Sequence, residues 1–321
     1  MDYPAIYHLE RIYYPVLAAI GIPVNLIAIV ILYRGKCGLS KCTIRYLLSM
    51  AAADVAVLLI HVVFQRINVM YLSISFLFTY PANDVNIGAY VVAVDCSVWF
   101  TVSFTFDRCI AICFQTIHSK YCTKNSSAVV ITTIFVASCL KSIPFYCMFE
   151  TDGKLPWFCD PTADYLTSPL WKAFEWFDSI LTPLLPIILM LFFNVITVRH
   201  IFLTNRIRKS LRSASENVPD PELQNRRKSM ILLFSISANF ILLWLIYVIH
   251  SVTYPVTNFL YGDKYFSSHI HIFQQVGFML QLLSCCTNSC IYGLTQRKFR
   301  AEMKTGFQYI FTLNGTICQH K

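Results

Sequence analysis

The chain has 321 residues, of which 56% are hydrophobic and only 13% charged, with a formal net charge of +9. Soluble domains carry about 25% charged residues, so this composition excludes an ordinary soluble enzyme and points to a membrane protein. The positive balance reads as membrane topology, and no nucleic-acid partner is expected.

A helix needs about 20 apolar residues to cross roughly 30 Å of hydrocarbon, and seven stretches reach that length. Residues 1–13 are a short N-terminus with no evident cleavable signal, because Asp2, Glu10 and Arg11 precede an apolar run long enough to remain as a span. Such a segment is too short for a binding domain, which leaves the bundle and its outer loops to receive a ligand. Span one is predicted over residues 14–33, free of charge. Span two (46–65) holds only Asp54, and span three (85–106) holds only Asp95 and ends on Asp107-Arg108. Span four (129–149) holds only Lys141. Spans five (180–198), six (230–249) and seven (272–294) hold no charge. These lengths, with Gly and Pro inside several spans, suit helices rather than barrel strands of about 10 alternating residues.

Between spans five and six, prolines break the polar loop Ser215-Glu-Asn-Val-Pro-Asp-Pro221, and basic residues flank it. Such stretches bind anionic lipid as readily as protein. After span seven, Phe299, Met303, Phe307 and Ile310 recur at helical spacing among Lys298, Arg300 and Lys304. That pattern predicts an amphipathic helix on the membrane surface over 295–311, followed by a tail over 312–321. The expected fold is an all-α membrane protein: a seven-transmembrane helix bundle over 14–294 with a short amphipathic eighth helix.

Lys and Arg in short loops set the orientation. With the N-terminus outside, all 26 basic residues face the cytosol except Arg11, Arg66, Lys141, Lys154, Lys172 and Lys264. The expectation is therefore a multi-pass plasma-membrane protein with its C-terminus and Asp107-Arg108 on the cytosolic side. Both sequons, Asn125-Ser-Ser and Asn314-Gly-Thr, then stay unmodified. Most of the 13 cysteines lie in spans or near the cytosol, where thiols remain reduced. Only Cys159 lies clearly in an outer loop, and Cys147 is its one candidate disulfide partner. No paired Cys-x-x-Cys motif or His-x-x-x-His spacing suggests a metal site. His269 and His271 read as a solvated turn. No nucleophile–base set points to an enzyme, and no repeat with broken helices points to a transporter.

Several motifs fall in order along the spans: Gly21-Ile-Pro-Val-Asn25, Leu47-Leu-Ser-Met-Ala-Ala-Ala-Asp54, Asp107-Arg108, Pro186, Phe240 with Trp244, and Asn288-Ser-Cys-Ile-Tyr292 followed by Phe299. From Gly21 to about Phe311 the chain resembles the rhodopsin-like (class A) G-protein-coupled receptors. Within them, the Ala-Ala-Ala-Asp54 run, Ser142-Ile-Pro-Phe-Tyr146 and Asn194 after Pro186 are similar to the orphan group called probable G-protein coupled receptor 139.

The resemblance implies roles for specific residues. Asp54, Ser97 and Asn288, with Asn25 nearby, match a pocket that holds a hydrated sodium ion, the only cofactor or metal expected. Asp107, Arg108, Asn288 and Tyr292 match the switch that opens the cytosolic face to a heterotrimeric G protein, of the phospholipase-activating class in the resembled group. Asp95 and Lys141 are brought together as a buried ion pair kept for packing specificity more than stability. Tyr90 stands where amine receptors carry an acid, so a monoamine ligand is not expected. Tyr90, Val94, Trp244, Tyr247 and Phe278 suit a small amphipathic ligand or a peptide end. An aromatic amino acid is one such ligand, with Arg66 available for its carboxylate and Asp178 for its amine. Cys318 is a candidate for palmitoylation.

The chain also departs from the family's pattern. Asn83 replaces the outer cysteine of span three, span four lacks Trp, and span six has Trp244-Leu-Ile246 without a proline. Cys109 follows the Arg, and Ser289 replaces a proline. The alternative function is a non-signalling seven-span decoy or partner for another receptor.

Overall fold

The computed structural model describes residues 5–35, 37–71, 82–151, 159–211, 221–261 and 268–305. Among the features expected from sequence, Cys318, Asn314, Phe307, Ile310, Lys154, Lys264 and the tail lie outside these residues.

Apolar runs without water must satisfy their backbone internally, and helices do so within one segment. The described chain is accordingly built of long helices. Span one is Ala5–Tyr33, and it begins well before the apolar run. Ile6, Glu10 and Tyr14 recur at four-residue intervals and are all buried, so packing against the bundle extends the helix through residues expected to be a free N-terminus. Span two covers Lys41–Tyr71. Its outer part, Leu58–Ile67, is wound as a π-helix of 10 residues, a wider winding found mostly at functional sites. Span three is Ala82–Cys113, followed by the short helix Gln115–Tyr121.

Span four runs from Asn125 to Cys147; its last turn, Ile143–Cys147, tightens to a 3-10 helix where Pro144 lacks a donor. Span five extends over Pro169–Arg206, with Ser168 capping its start. The turn Ile180–Leu184 is irregular, with Thr182 out of helical conformation beside Pro183. Span six is the helix Pro221–Tyr261, continuous through Trp244-Leu-Ile246, where the family's proline is absent. Span seven is Ser268–Thr295, and a further helix covers 297–305. Phe299 of that helix is buried and Met303 packs against the same cluster. The all-α expectation meets one exception among the described residues, a short antiparallel ladder of Phe149–Thr151 with Cys159–Pro161.

Six of these helices are long and apolar enough to cross a membrane on those grounds alone. Span seven has the length but is more polar. Its Gln275, Gln281, Ser284, Asn288 and Ser289 are all buried against the other spans, so its polar face is the inward one. Lipid replaces water on the outer surface, where large apolar residues such as Leu26, Phe202 and Leu242 are exposed. Of these six helices, span three is the most buried, and it packs against spans two, four, five and six. Spans one and seven close the ring, and Gly21 permits the approach: an added Cβ there would sit 2.2 Å from Cys286 Sγ.

Candidate functional site

The inward polar residues form four groups along the bundle. At the basic end, where Arg45, Lys298 and Arg300 also lie, Asp107 and Arg108 are buried at the end of span three. Arg108 donates from Nε and Nη2 to one oxygen of Asp107, Oδ2, at 3.1 and 2.5 Å. Its remaining Nη1 reaches Ser229 Oγ on span six at 3.4 Å. Among the described residues the pair therefore ties span three to span six through a hydroxyl. Asp107 Oδ1 faces His118 Nε2 at 3.7 Å and accepts no well-formed hydrogen bond among the described residues. Burial lowers the His118 pKa, so at neutral pH the ring is uncharged and this contact is not an ion pair. Tyr292 is buried, its hydroxyl without a hydrogen-bond partner among the described residues and its ring edge-on to Phe299 at 6.4 Å.

Mid-bundle, Asp54 is fully buried. Ser97 Oγ donates to one oxygen at 2.5 Å and Asn288 Nδ2 to the other at 3.1 Å. Three of the residues expected around a sodium ion thus meet. Asn25 does not join them. It donates to the backbone oxygens of Gly21 and Cys285 and accepts from Ser289 Oγ. The hydroxyl that replaces the family's proline therefore latches span seven to span one, and Asn25 braces the pocket from outside.

Near the opposite end, the Asp95–Lys141 pair is present, with Nζ 2.8 Å from both carboxylate oxygens. Lys141 also binds Asp178, and Thr182 Oγ1 donates to Asp95 at 2.8 Å. Asp178, expected to receive a ligand amine, is already neutralised by Lys141. Sequence reading missed this third charge because the irregular turn after Ser179 sets which way span five faces.

The fourth group is aromatic. Tyr90 stacks on His61 at 4.1 Å, and Phe278 lies 6.1 Å from His61 and 5.5 Å from Tyr247. Tyr247 meets Trp244 edge-on at 5.6 Å, and Trp244 stacks on Phe240. Val94 packs into the same clusters. Trp244 Nε1 donates to Ser284 Oγ at 3.0 Å. At the head of this chain of rings, Arg66 lies over Tyr14 and Phe278 at 5.5 and 5.1 Å. It also donates to Gln275 Oε1 at 3.2 Å and to His61 Nε2 at 3.4 Å. The π winding of span two brings His61, Gln65 and Arg66 to this inward position, with Gln65 Oε1 2.5 Å from His61 Nδ1. Glu10 is buried within reach of Arg66 and of the Tyr14 hydroxyl, and its Oε1 makes no well-formed hydrogen bond among the described residues. Neither Glu10, His61 nor Gln275 was singled out from sequence. The only available signal was that each is polar on an otherwise apolar face.

Cys147 is exposed and free, while the side chain of Cys159 lies outside the described residues.

Comparison with known proteins agrees with this architecture. The profile of the 7 transmembrane receptor (rhodopsin family) matches residues 24–292. C-C chemokine receptor type 8 of Mus musculus is 26% identical over 310 residues, covering 92% of this chain and 78% of that one. Probable G-protein coupled receptor 142 of Mus musculus is 24% identical over 301 residues, covering 91% and 71%. A buried acid–arginine pair closing span three, a carboxylate held between spans two, three and seven, and a profile match across the bundle agree: the chain belongs to the rhodopsin family of seven-transmembrane receptors, multi-pass G-protein-coupled receptors rather than enzymes.

Proposed function

We propose that this receptor binds a small aromatic carboxylate, an aromatic amino acid or a molecule like it, between Arg66 and Trp244 and passes the signal to Asp107-Arg108. The observation that carries the reading is Arg66, a buried-side cation whose flat faces rest on Tyr14 and Phe278. Its hydrogen bonds go to neutral partners, Gln275 and His61. A guanidinium with no bidentate acid among the described residues is poised to take one from a ligand, and the rings beyond it offer a stacking surface. Glu10, rather than the occupied Asp178, is then the partner for a ligand amine.

The basic end faces the cytosol in this reading, since Lys and Arg collect there, and the G protein docks on it. The phospholipase-activating class is the first G-protein class to assay. Membrane lipids cover the outer apolar faces, and an apolar groove of about 320 Å³ lined by Trp99, Val102, Phe106, Ile134 and Phe193 opens on that side. It contains none of the charged groups described above.

Aromatic carboxylates screened with calcium and cyclic-nucleotide readouts give the test. Charge-assisted hydrogen bonds contribute about 1.5–3 kcal/mol, so Arg66→Gln is expected to lower agonist potency about 10- to 100-fold at equal surface expression. Unchanged potency would remove Arg66 from the ligand site. A chain that never drives nucleotide exchange with any ligand would favour the silent-partner alternative.

Sodium belongs to the same proposal. The Asp54 carboxylate and Ser97 hydroxyl are hard oxygen donors suited to a small hard cation, and Asn288 can present its oxygen by an amide flip. Allosteric couplings are typically about 5- to 150-fold. Sodium is therefore expected to weaken agonist binding by about fivefold or more in the native receptor and to have no effect in Asp54→Asn. Sodium dependence that survives this substitution places the ion elsewhere.

A further inference from the structure

We propose that Cys42, Asp107, His118 and Cys122 form a binding site for a transition-metal ion of the zinc class at the basic end of the bundle. The site would join spans two and three to the helix Gln115–Tyr121.

The geometry comes from three separate segments. Cys42 Sγ, a carboxylate oxygen of Asp107 and Cys122 Sγ all lie within 4.8 Å of one another. His118 Nε2 stands 3.7 Å from Asp107 Oδ1. Tetrahedral zinc, with bonds of about 2.3 Å to sulfur and about 2.0–2.2 Å to nitrogen or oxygen, places its ligand atoms roughly 3.3–3.8 Å apart. A contraction of about 1 Å brings the Cys42, Asp107 and Cys122 atoms to that spacing, and His118, which lies outside that trio, completes the shell by turning in from its contact with Asp107.

Asp107 Oδ1 and His118 Nε2 have no well-formed hydrogen bond among the described residues, and the thiols of Cys42 and Cys122 are the donors within reach of the Asp107 carboxylate. Asp107 itself is only 2% exposed. A buried carboxylate oxygen without a well-formed hydrogen bond is costly, and a cation bound at that point removes the cost. Arg108 does not compete for it, because both of its bonds to Asp107 go to Oδ2.

The donor chemistry selects the metal. Two sulfurs, an imidazole and a carboxylate suit zinc and its neighbours, whereas calcium and magnesium take oxygen alone. With both thiols ionised, the four ligands carry three negative charges. A divalent ion and the adjacent Arg108 balance them.

Local structure holds the ligands in place. Ser40 accepts from Thr43 N at 3.2 Å, which fixes the first turn of span two around Cys42. Cys122 N–H donates to His118 O at 2.8 Å, so the two lie one turn apart on the short helix. Thr123 then caps span four by accepting from Ser126 N at 3.2 Å. The sequence offered no motif because the ligands lie at positions 42, 107, 118 and 122. The expectation that no metal beyond sodium binds rested on local spacing alone.

An ion on Oδ1 and Arg108 on Oδ2 share one carboxylate. Metal occupancy would thereby link the position of the short helix to the switch. Reduced thiols are required, and the cytosolic reading of this end supplies them.

The test uses the full-length chain, reduced, purified in detergent and stripped with a chelator, and it is independent of signalling. Cobalt(II) is expected to bind one per chain, giving thiolate-to-metal charge-transfer absorption and the visible bands of tetrahedral cobalt, and zinc is expected to displace it. Cys122→Ser and Cys42→Ser should each weaken binding at least about tenfold, by analogy with losses at supporting residues. Cys113→Ser should leave the spectrum unchanged. Where a variant fails to fold, the native chain is alkylated with and without zinc, and peptide mass spectrometry should show Cys42 and Cys122 protected while Cys113 is not. Absence of charge-transfer absorption, equal alkylation with and without zinc, or a Cys42–Cys122 disulfide that persists under reductant would overturn the proposal.

Discussion

Arg108→Ala is expected to silence agonist-driven nucleotide exchange, and Asp107→Asn to raise exchange without agonist, both at matched surface expression. The two outcomes differ because Asp107 and Arg108 hold opposite places in one restraint. Asp107 accepts two hydrogen bonds from Arg108 in a buried site, and hydrogen bonds to charged groups contribute about 1.5–3 kcal/mol each. Neutralising the acid weakens both bonds while leaving the guanidinium in place. If the resting state alone contains these bonds, its weight falls by about tenfold or more relative to the open state, which appears as basal activity. Removing the guanidinium instead deletes the group that the opened face would present to the G protein. Ser229→Ala is the finer probe. Its 3.4 Å contact with Arg108 is the direct tie of this pair to span six, so its loss should raise basal exchange less than Asp107→Asn does. Normal agonist signalling from Arg108→Ala would remove the pair from the coupling route, and a silent Asp107→Asn would show that the acid is not the restraint.

What could be read from the sequence was whatever depends on depth alone. An apolar run of known length places Asp54, Asp95 and Lys141 at definite levels in the membrane, and family order supplies their neighbours. Both the Asp54–Ser97–Asn288 group and the Asp95–Lys141 pair formed. What stayed hidden depends on rotation about the helix axis. The π winding over Leu58–Ile67 resets which residues of span two face inward, and it brings His61 and Arg66 to the aromatic chain. The irregular turn at Thr182 does the same for Asp178. Asn25 was expected beside the Asp54 pocket, and its own hydrogen bonds to Gly21, Cys285 and the unusual Ser289 were not legible. The segment 1–13 was misread for another reason: Glu10 looks like a solvent residue until the bundle buries it.

Lys141→Met is expected to lower the Tm of the detergent-purified receptor and its surface expression far more than Asp95→Asn does. Lys141 is the one cation bound to both Asp95 and Asp178. Without it, two carboxylates face each other across spans three and five, and among the described residues the Thr182 hydroxyl is the donor left to Asp95. Removing one partner of a buried pair costs about 3–5 kcal/mol. Asp178 is 29% exposed on its side chain, so solvent screens part of the repulsion and the lower end, about 3 kcal/mol, is the expectation. Asp95→Asn leaves Lys141 paired with Asp178, and the amide still accepts from Thr182, so its effect should be smaller. The double variant Asp95→Asn with Lys141→Met separates charge from packing. It should recover part of the stability lost by Lys141→Met alone, since the unpaired acid that causes the loss is gone. If Lys141→Met melts with the native receptor, the network contributes packing specificity and no net stability. Agonist potency in Asp95→Asn then becomes the deciding measurement, because this network braces spans three, four and five immediately beside Tyr247 and Tyr90. A change in potency without a change in Tm would show that this charge network is kept to hold the ligand cleft in register.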